Sequence, residues 1–198
     1  MIKESTNLNG TDFYNALVSG ITNIISRHEH LNKINVFPVP DGDTGTNLLF
    51  TLRPIIQIDS NDISSHFGEM LSLIANTAID SARGNSGTIM AQYFIGMAEE
   101  SASIESLTNK NLGSLLNAGY KAAQSSMSDP KEGTIITVMR DVVGEAKKYV
   151  DSENIVEAFK AIYRVSVDSL NNTPEQMQLL KDAGVVDAGA QGFVDLIE

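Results

Sequence analysis

Asp41 and Asp43 stand two positions apart inside the segment 35–47. Its thirteen residues hold two carboxylates, two side-chain amides, two hydroxyls, two glycines and two prolines. Proline lacks a backbone donor and glycine loses the most chain entropy on ordering, so the segment reads as a stiff loop. On an extended loop both carboxylates can turn to one side. Hard oxygen ligands of this kind suit Mg²⁺, which takes one or two carboxylates, keeps some waters and bridges to phosphate oxygens. The competing explanation is a pair of ordinary turns, because Asp-Gly and Thr-Gly are common turn dipeptides.

Three further segments tip the balance toward a phosphate ligand. In 82–88, Gly84-Asn85-Ser86-Gly87 directly precedes an apolar periodic run. A turn that opens a helix presents free N–H groups and the positive end of the helix dipole, and Asn85 and Ser86 add side-chain donors. Arg83 beside them is either a phosphate partner or a solvated charge. In 130–134, Gly133 and Thr134 again precede a long helix and could meet a phosphate or a base edge, although Asp129-Pro130 followed by Glu132 is also an ordinary acidic helix start. In 182–192 the glycines permit tight contact with a flat ligand, and Asp187 could reach a metal shell or a ribose; a plain helix connection is the alternative. Other chemistries fare worse. His28 and His30 lack a third ligand, Ser86 lacks a neighbouring His and acid, and no Gly-x-x-x-x-Gly-Lys-Ser/Thr run occurs.

The elements that must carry these loops are helical. Phe13, Leu17, Ile21, Ile24 and Ile25 form one stripe, with Thr11 expected as its N-cap. Similar stripes run through Phe67–Ala78, Ile89–Met97, Leu112–Ala122, Ile135–Val150, Val156–Leu170 and from Met177 onward. No segment alternates convincingly at period two. About eight amphipathic helices imply an all-α bundle or helical barrel, with loops expected at 30–47, 53–63, 100–110, 127–134, 151–154, 171–175 and 182–190. All four ligand-suited segments lie between elements, where a helical barrel would expose its functional loops on one rim. No helix stripe announces a long apolar pocket that would hold an acyl chain.

At 198 residues the chain makes one domain. The last residues end inside a helical pattern, so 1–198 is expected to be the N-terminal part of a longer chain. Cysteine is absent, no apolar run is long enough to span a bilayer, and Met1–Asn7 lacks a basic segment followed by an apolar run. A cytoplasmic location is expected, with no transmembrane segment. The net charge is −11, with 14 basic residues against 25 acidic ones. That balance argues against nucleic-acid binding. A polyphosphate would also be repelled, unless cations and backbone N–H groups receive it.

These blocks, in this order, resemble the nucleotide-binding domain of the dihydroxyacetone kinase L-subunit family, and most closely its fatty acid kinase branch. The resemblance implies a barrel of about eight antiparallel helices with the nucleotide site at one end, ATP as ligand, and two Mg²⁺. By position it makes Asp41 and Asp43 the catalytic, metal-holding pair. Thr44, Thr46 and Asn47 would reach the phosphates, while Asn85, Ser86 and Gly87 close over them. Gly133 and Thr134 would line the pocket, with Asp187 and Gly189 on its far wall. A third metal-binding Asp of the dihydroxyacetone branch, five positions before the pair, is Val36 here. Asn35 is the substitute metal ligand, and the histidine often found after the pair is Thr44. Both departures point to the fatty acid kinase branch. That branch implies ATP-dependent phosphorylation of a fatty acid carboxylate presented by a separate fatty acid-binding protein, with a homodimer as the full-length state. A dihydroxyacetone-type kinase and a non-catalytic nucleotide-sensing module are the alternatives.

Overall fold

A computed structural model describes residues 5–198; the stretch read above for a leader lies partly outside them. The chain forms α1 (Gly10–Lys33), α2 (Thr44–Ile56), α3 (Phe67–Asp80), α4 (Gly84–Ser101) and α5 (Asn109–Ser125). Next come α6 (Ile135–Ala146), α7 (Ile155–Asn171), the short α8 (Thr173–Gln176) and α9 (Gln178–Ala183), and finally α10 (Ala188–Ile197). Among the described residues the only strand-like pairing is an isolated bridge between Leu8 and Leu107. The all-α expectation holds.

Each long helix buries the stripe that its sequence spacing announces. In α1 the buried residues Tyr14, Leu17, Ile21, Ile24 and Leu31 recur at three, four and seven. The N-cap is Asn9 rather than Thr11: its side chain accepts the Asp12 N–H, so the helix starts two residues earlier. The long helix expected through Val150 ends at Ala146 and tightens into a 3₁₀ turn over Lys147–Tyr149.

The main departure is α2. Loops were expected over 30–47 and 53–63, yet α1 runs on to Lys33 and α2 occupies Thr44–Ile56, with Pro54 in its last turn. A proline near the C-terminus of a helix costs one backbone bond rather than the whole helix. The buried stripe Leu48, Leu52 and Ile55 outweighs that loss.

Packing closes the helices into a barrel: α1 lies against α2, α2 against α4, and α4 against α5. The series continues through α6, α7 and α10 back to α1, with α3 lodged across α1, α2 and α4. Short loops turn each long helix back against its predecessor, which gives the antiparallel order. Phe67, Phe94 and Phe193 are fully buried, and Tyr93 meets Phe193 edge to face at 5.3 Å.

The helices also leave an apolar hollow that opens to solvent beside Ala16, Ser19 and Glu198. This cavity of about 370 Å³ lies among α1, α4, α5, α6, α7 and α10, with Leu17, Tyr93, Phe94, Phe159 and Phe193 in its wall. No single stripe announced it, because its apolar lining residues read as ordinary core one helix at a time.

α1 and α2 approach closely at Gly45, where a Cβ would collide with the carbonyl oxygen of His28. Gly45→Ala should therefore destabilise the protein by about 1–3 kcal/mol through overpacking. Urea denaturation measures this. A change within about 0.5 kcal/mol would mean that the two helices separate freely there.

Candidate functional site

Four helices begin at one cavity. Asp43 and Thr44 open α2; Gly84, Asn85 and Ser86 open α4; Thr134 and Ile135 open α6; Asp187 and Gly189 open α10. All nine of these residues line a cavity of about 260 Å³, together with Asn35, Phe37, Pro38, Val39, Asp41, Ile89 and Met127. A helix leaves its first N–H groups without intrahelical partners, and its N-terminus carries roughly half a positive charge. The N-cap side chains of α2, α4 and α6 make no capping hydrogen bond, although the Thr46 N–H of α2 is taken by Asn32 and the Ile135 N–H of α6 by Asp187.

The same cavity holds carboxylates. Asp41 and Asp43 are exposed on the rim. Asp43 spends no oxygen on capping its own helix. Asp41 is held by Asn35, 5% exposed, whose amide nitrogen donates to Asp41 Oδ1 at 2.7 Å. Asn35 thereby orients Asp41 and keeps its own amide oxygen uncommitted. Among the described residues no group of three or more His, Cys, Asp and Glu is placed to share a metal ion. The donor set for a cation is two carboxylates and an amide oxygen, and this suits an ion that completes its shell with water and phosphate.

Of the residues singled out in the sequence, Asn35, Asp41, Asp43, Thr44, Asn85, Ser86, Thr134, Asp187 and Gly189 converge on the cavity. Thr46, Asn47, Gly87 and Gly133 do not line it; they hold it together from behind. Thr46 is claimed by Asn32, which donates to its hydroxyl at 2.8 Å and accepts its backbone N–H at 3.0 Å. The Asn47 carbonyl accepts from the Thr51 hydroxyl, and that hydroxyl also accepts the Arg83 N–H. Gly87 packs on the same Thr51. Gly133 is pressed against Thr173, Gln176 and Met177, and its N–H donates to the Thr137 hydroxyl at 2.9 Å. Arg83 is exposed and lies outside the cavity lining. Gly84 takes φ +57, a left-handed angle that glycine tolerates, so α4 can start with its N–H groups turned inward.

Sequence reasoning missed Asn32, Thr51, Thr137 and Thr173, the side chains that tie the loops to the barrel. The signal for one was present. Thr44, Asn47 and Thr51 sit at three-four spacing, a polar stripe that becomes visible once α2 is seen as a helix. The apolar wall of Phe37, Ile89, Met127 and Ile135 was also missed, because its residues come from four separate segments.

Asp187 is buried, at 5% exposure, and its Oδ1 accepts N–H groups from Ile135 at 3.0 Å and Ala190 at 2.8 Å. Burial pushes its carboxyl from 3.8 up to about 6, against the opposing pull of the Ala190 and Ile135 N–H groups. The folded chain thus holds this proton more tightly than the unfolded chain. The associated stability is complete below about pH 4 and is lost as the pH rises through about 6. Relative to Asp187→Asn, the parent should lose up to about 3 kcal/mol of unfolding free energy between pH 4 and 7. Urea melts across that range test this, and a pH-independent difference between the two proteins would refute it.

Comparison with known proteins agrees with the geometry. Residues 38–198 match the family model described as the DAK2 domain. An uncharacterized protein of Staphylococcus epidermidis is 33% identical over 192 residues, covering 96% of this chain and 35% of that protein. A Staphylococcus aureus protein is 34% identical over the same span and shares of length. The chain thus spans about a third of the length of the curated relatives it matches. Among solved structures, dihydroxyacetone kinase from C. freundii in complex with AMP-PNP and Mg²⁺ has a TM-score of 0.72 at 16% identity, covering 93% of this chain and 32% of that one. Its native form gives the same score and identity over 100% and 35%. At that identity the likeness establishes the fold. Among the described residues no helix is long and apolar enough to cross a membrane. With the family model matched over most of its length, the chain belongs to the DAK2 domain family.

Proposed function

We propose that residues 1–198 are a nucleotide-binding kinase domain that binds ATP with Mg²⁺ and passes the γ-phosphoryl group to a fatty acid carboxylate. A separate fatty acid-binding protein presents that carboxylate, and the full-length protein works as a homodimer. The observation that carries this reading is the convergence of four helix N-termini on one cavity with two exposed carboxylates in its lining, neither of them in an ion pair among the described residues. In a chain of net charge −11, such an arrangement makes sense for a ligand that is both anionic and cation-bound.

The residues present fit the ions. Asp41 and Asp43, with Asn35 through its amide oxygen, would hold two Mg²⁺, which when bound neutralise phosphate charge and orient the transferred group. Around them, Thr44, Asn85 and Ser86 supply hydroxyl, amide and backbone donors to the phosphates. The wall of Phe37, Ile89, Met127 and Ile135 offers an apolar face to a flat base, with Thr134 and Gly189 at its edge.

A carboxylate acceptor is consistent with the lining. No histidine, lysine or arginine is among the described residues that line the cavity. A hydroxyl acceptor would have to lose a proton. A fatty acid carboxylate, which titrates like Glu near 4 to 5, is already ionised at neutral pH. Its oxygen forms the new bond to the γ-phosphorus, the bond from that phosphorus to the bridging oxygen breaks, and ADP carries away the electron pair. No proton moves.

Two experiments test the reading. In calorimetry with AMP-PNP, chelation of Mg²⁺ by EDTA or the change Asp43→Asn should weaken binding by about tenfold or more. Equal affinity with and without metal would remove the metal assignment. In a turnover assay, ATP should be consumed with a fatty acid on a lipid-carrier protein and not with dihydroxyacetone. The reverse preference would assign the dihydroxyacetone branch, and nucleotide binding without any turnover would favour a sensing module.

A further inference from the structure

Asp187 is the point where four helices meet through one residue. Its Oδ1 accepts the Ile135 N–H at the start of α6 and the Ala190 N–H in the first turn of α10. Its own N–H donates at 3.2 Å to the hydroxyl of Thr173, the first residue of α8. That hydroxyl in turn donates at 2.8 Å to the carbonyl of Leu170, in the last turn of α7. Both Asp187 and Thr173 are buried, so none of these bonds is traded with water. The α10 start is the only one of the four facing the cavity that has a side-chain cap, and the capping oxygen also serves α6.

An ordinary N-cap satisfies donors of its own helix. Here one oxygen bridges two helices whose first residues form the same cavity wall: Thr134 and Ile135 on α6, Asp187 and Gly189 on α10. The bridge is unusual in its placing, because it puts an acid inside a cavity suited to anions. A carboxylate there works against a polyphosphate unless its contribution lies elsewhere. The structure gives its Oδ1 two backbone donors and no side-chain partner.

We propose that Asp187 is a positioning residue, whose Oδ1 fixes the spacing of the α6 and α10 N-termini and so holds the nucleotide wall in shape before ligand arrives. This rests on the nucleotide-binding function argued above and adds to it a role for Asp187 that requires no contact with nucleotide or metal. Pre-set donors avoid the ordering cost that a loose wall would exact at each binding event. The side-chain oxygen of Asn can accept the same two N–H groups, whereas Ala can accept none.

The test combines amide hydrogen exchange with AMP-PNP–Mg²⁺ calorimetry on the parent, Asp187→Ala, Asp187→Asn and Thr173→Val, each checked for helical content. In Asp187→Ala the Ile135 and Ala190 amides should lose protection together, and nucleotide affinity should fall by about tenfold or more. Asp187→Asn should restore protection at both amides and recover most of the affinity. Thr173→Val removes the Asp187 N–H acceptor without touching the cavity lining, and should move both readouts in the direction of Asp187→Ala. It supplies the answer if that variant fails to fold. Asp187→Asn binding as weakly as Asp187→Ala, with both amides still protected, would show direct ligand contact and overturn the proposal. So would independent behaviour of the two amides. A parent that binds no nucleotide would sink the functional reading, yet the exchange arm would still decide whether Asp187 ties the two helices.

Discussion

The organising constraint of this molecule is the set of backbone donors that helices leave unpaired at their starts. Four helices open onto one cavity, and an unpaired buried N–H costs on the order of 1–3 kcal/mol. Such ends are normally spread over a protein surface, where water satisfies them. Collecting them in one place requires loops that face the same rim, a shared partner for some of the donors, as Asp187 is for α6 and α10, and a body that tolerates the resulting positive potential. The acidic composition meets the last requirement, since the surplus of carboxylates offsets a field that no lysine or arginine in the cavity lining produces.

The donors stay where they are because short polar side chains behind the cavity anchor each loop to the barrel. Asn32 grips Thr46 through both the nitrogen and the oxygen of its side-chain amide, Thr51 joins the Asn47 carbonyl to the Arg83 N–H, and Thr137 joins Gly133 to the Glu132 carboxylate. That carboxylate is held below its usual range first by the Thr137 hydroxyl and then by Arg140, with burial opposing. Thr51, Thr137 and Thr173 are fully buried. Each is a hydroxyl that both donates and accepts, and so carries one loop onto another with no charge to bury.

The helical fold was readable because its signal is periodic and local. The stripes in α1, α3, α4, α5, α6 and α7 appear in the sequence at the spacing at which they are buried. The site was readable in part for a different reason: Asp41, Asp43, Asn85, Ser86 and Asp187 are polar residues in glycine-rich loops, where they stand out. What stayed hidden was either disguised or distributed. The disguise belongs to α2, whose glycine, threonines and proline mimic a loop although Leu48, Leu52 and Ile55 seat it on the core. Distribution hid the apolar wall, drawn from positions as distant as Phe37 and Ile135, and the apolar cavity, whose lining comes mainly from six helices. Asp187 was found as a polar residue in the right loop, but its service to two helices at once depends on α6 and α10 meeting, which no local spacing records.

The two cavities share helices. Ile89 and Gly189 line the polar one, while Tyr93 and Phe193, four residues further along the same helices, line the apolar one; on α6, Ile135 and Val142 are divided by seven residues. The step is one turn of helix, about 5.4 Å, on α4 and α10 and about two turns on α6. Trimming an aromatic ring in the apolar cavity is therefore expected to disturb helices that also carry the polar one. For mutational scanning, loss of ligand affinity after a change at Tyr93 or Phe193 reports transmitted slack, and only melting data gathered alongside can separate that from lost contact.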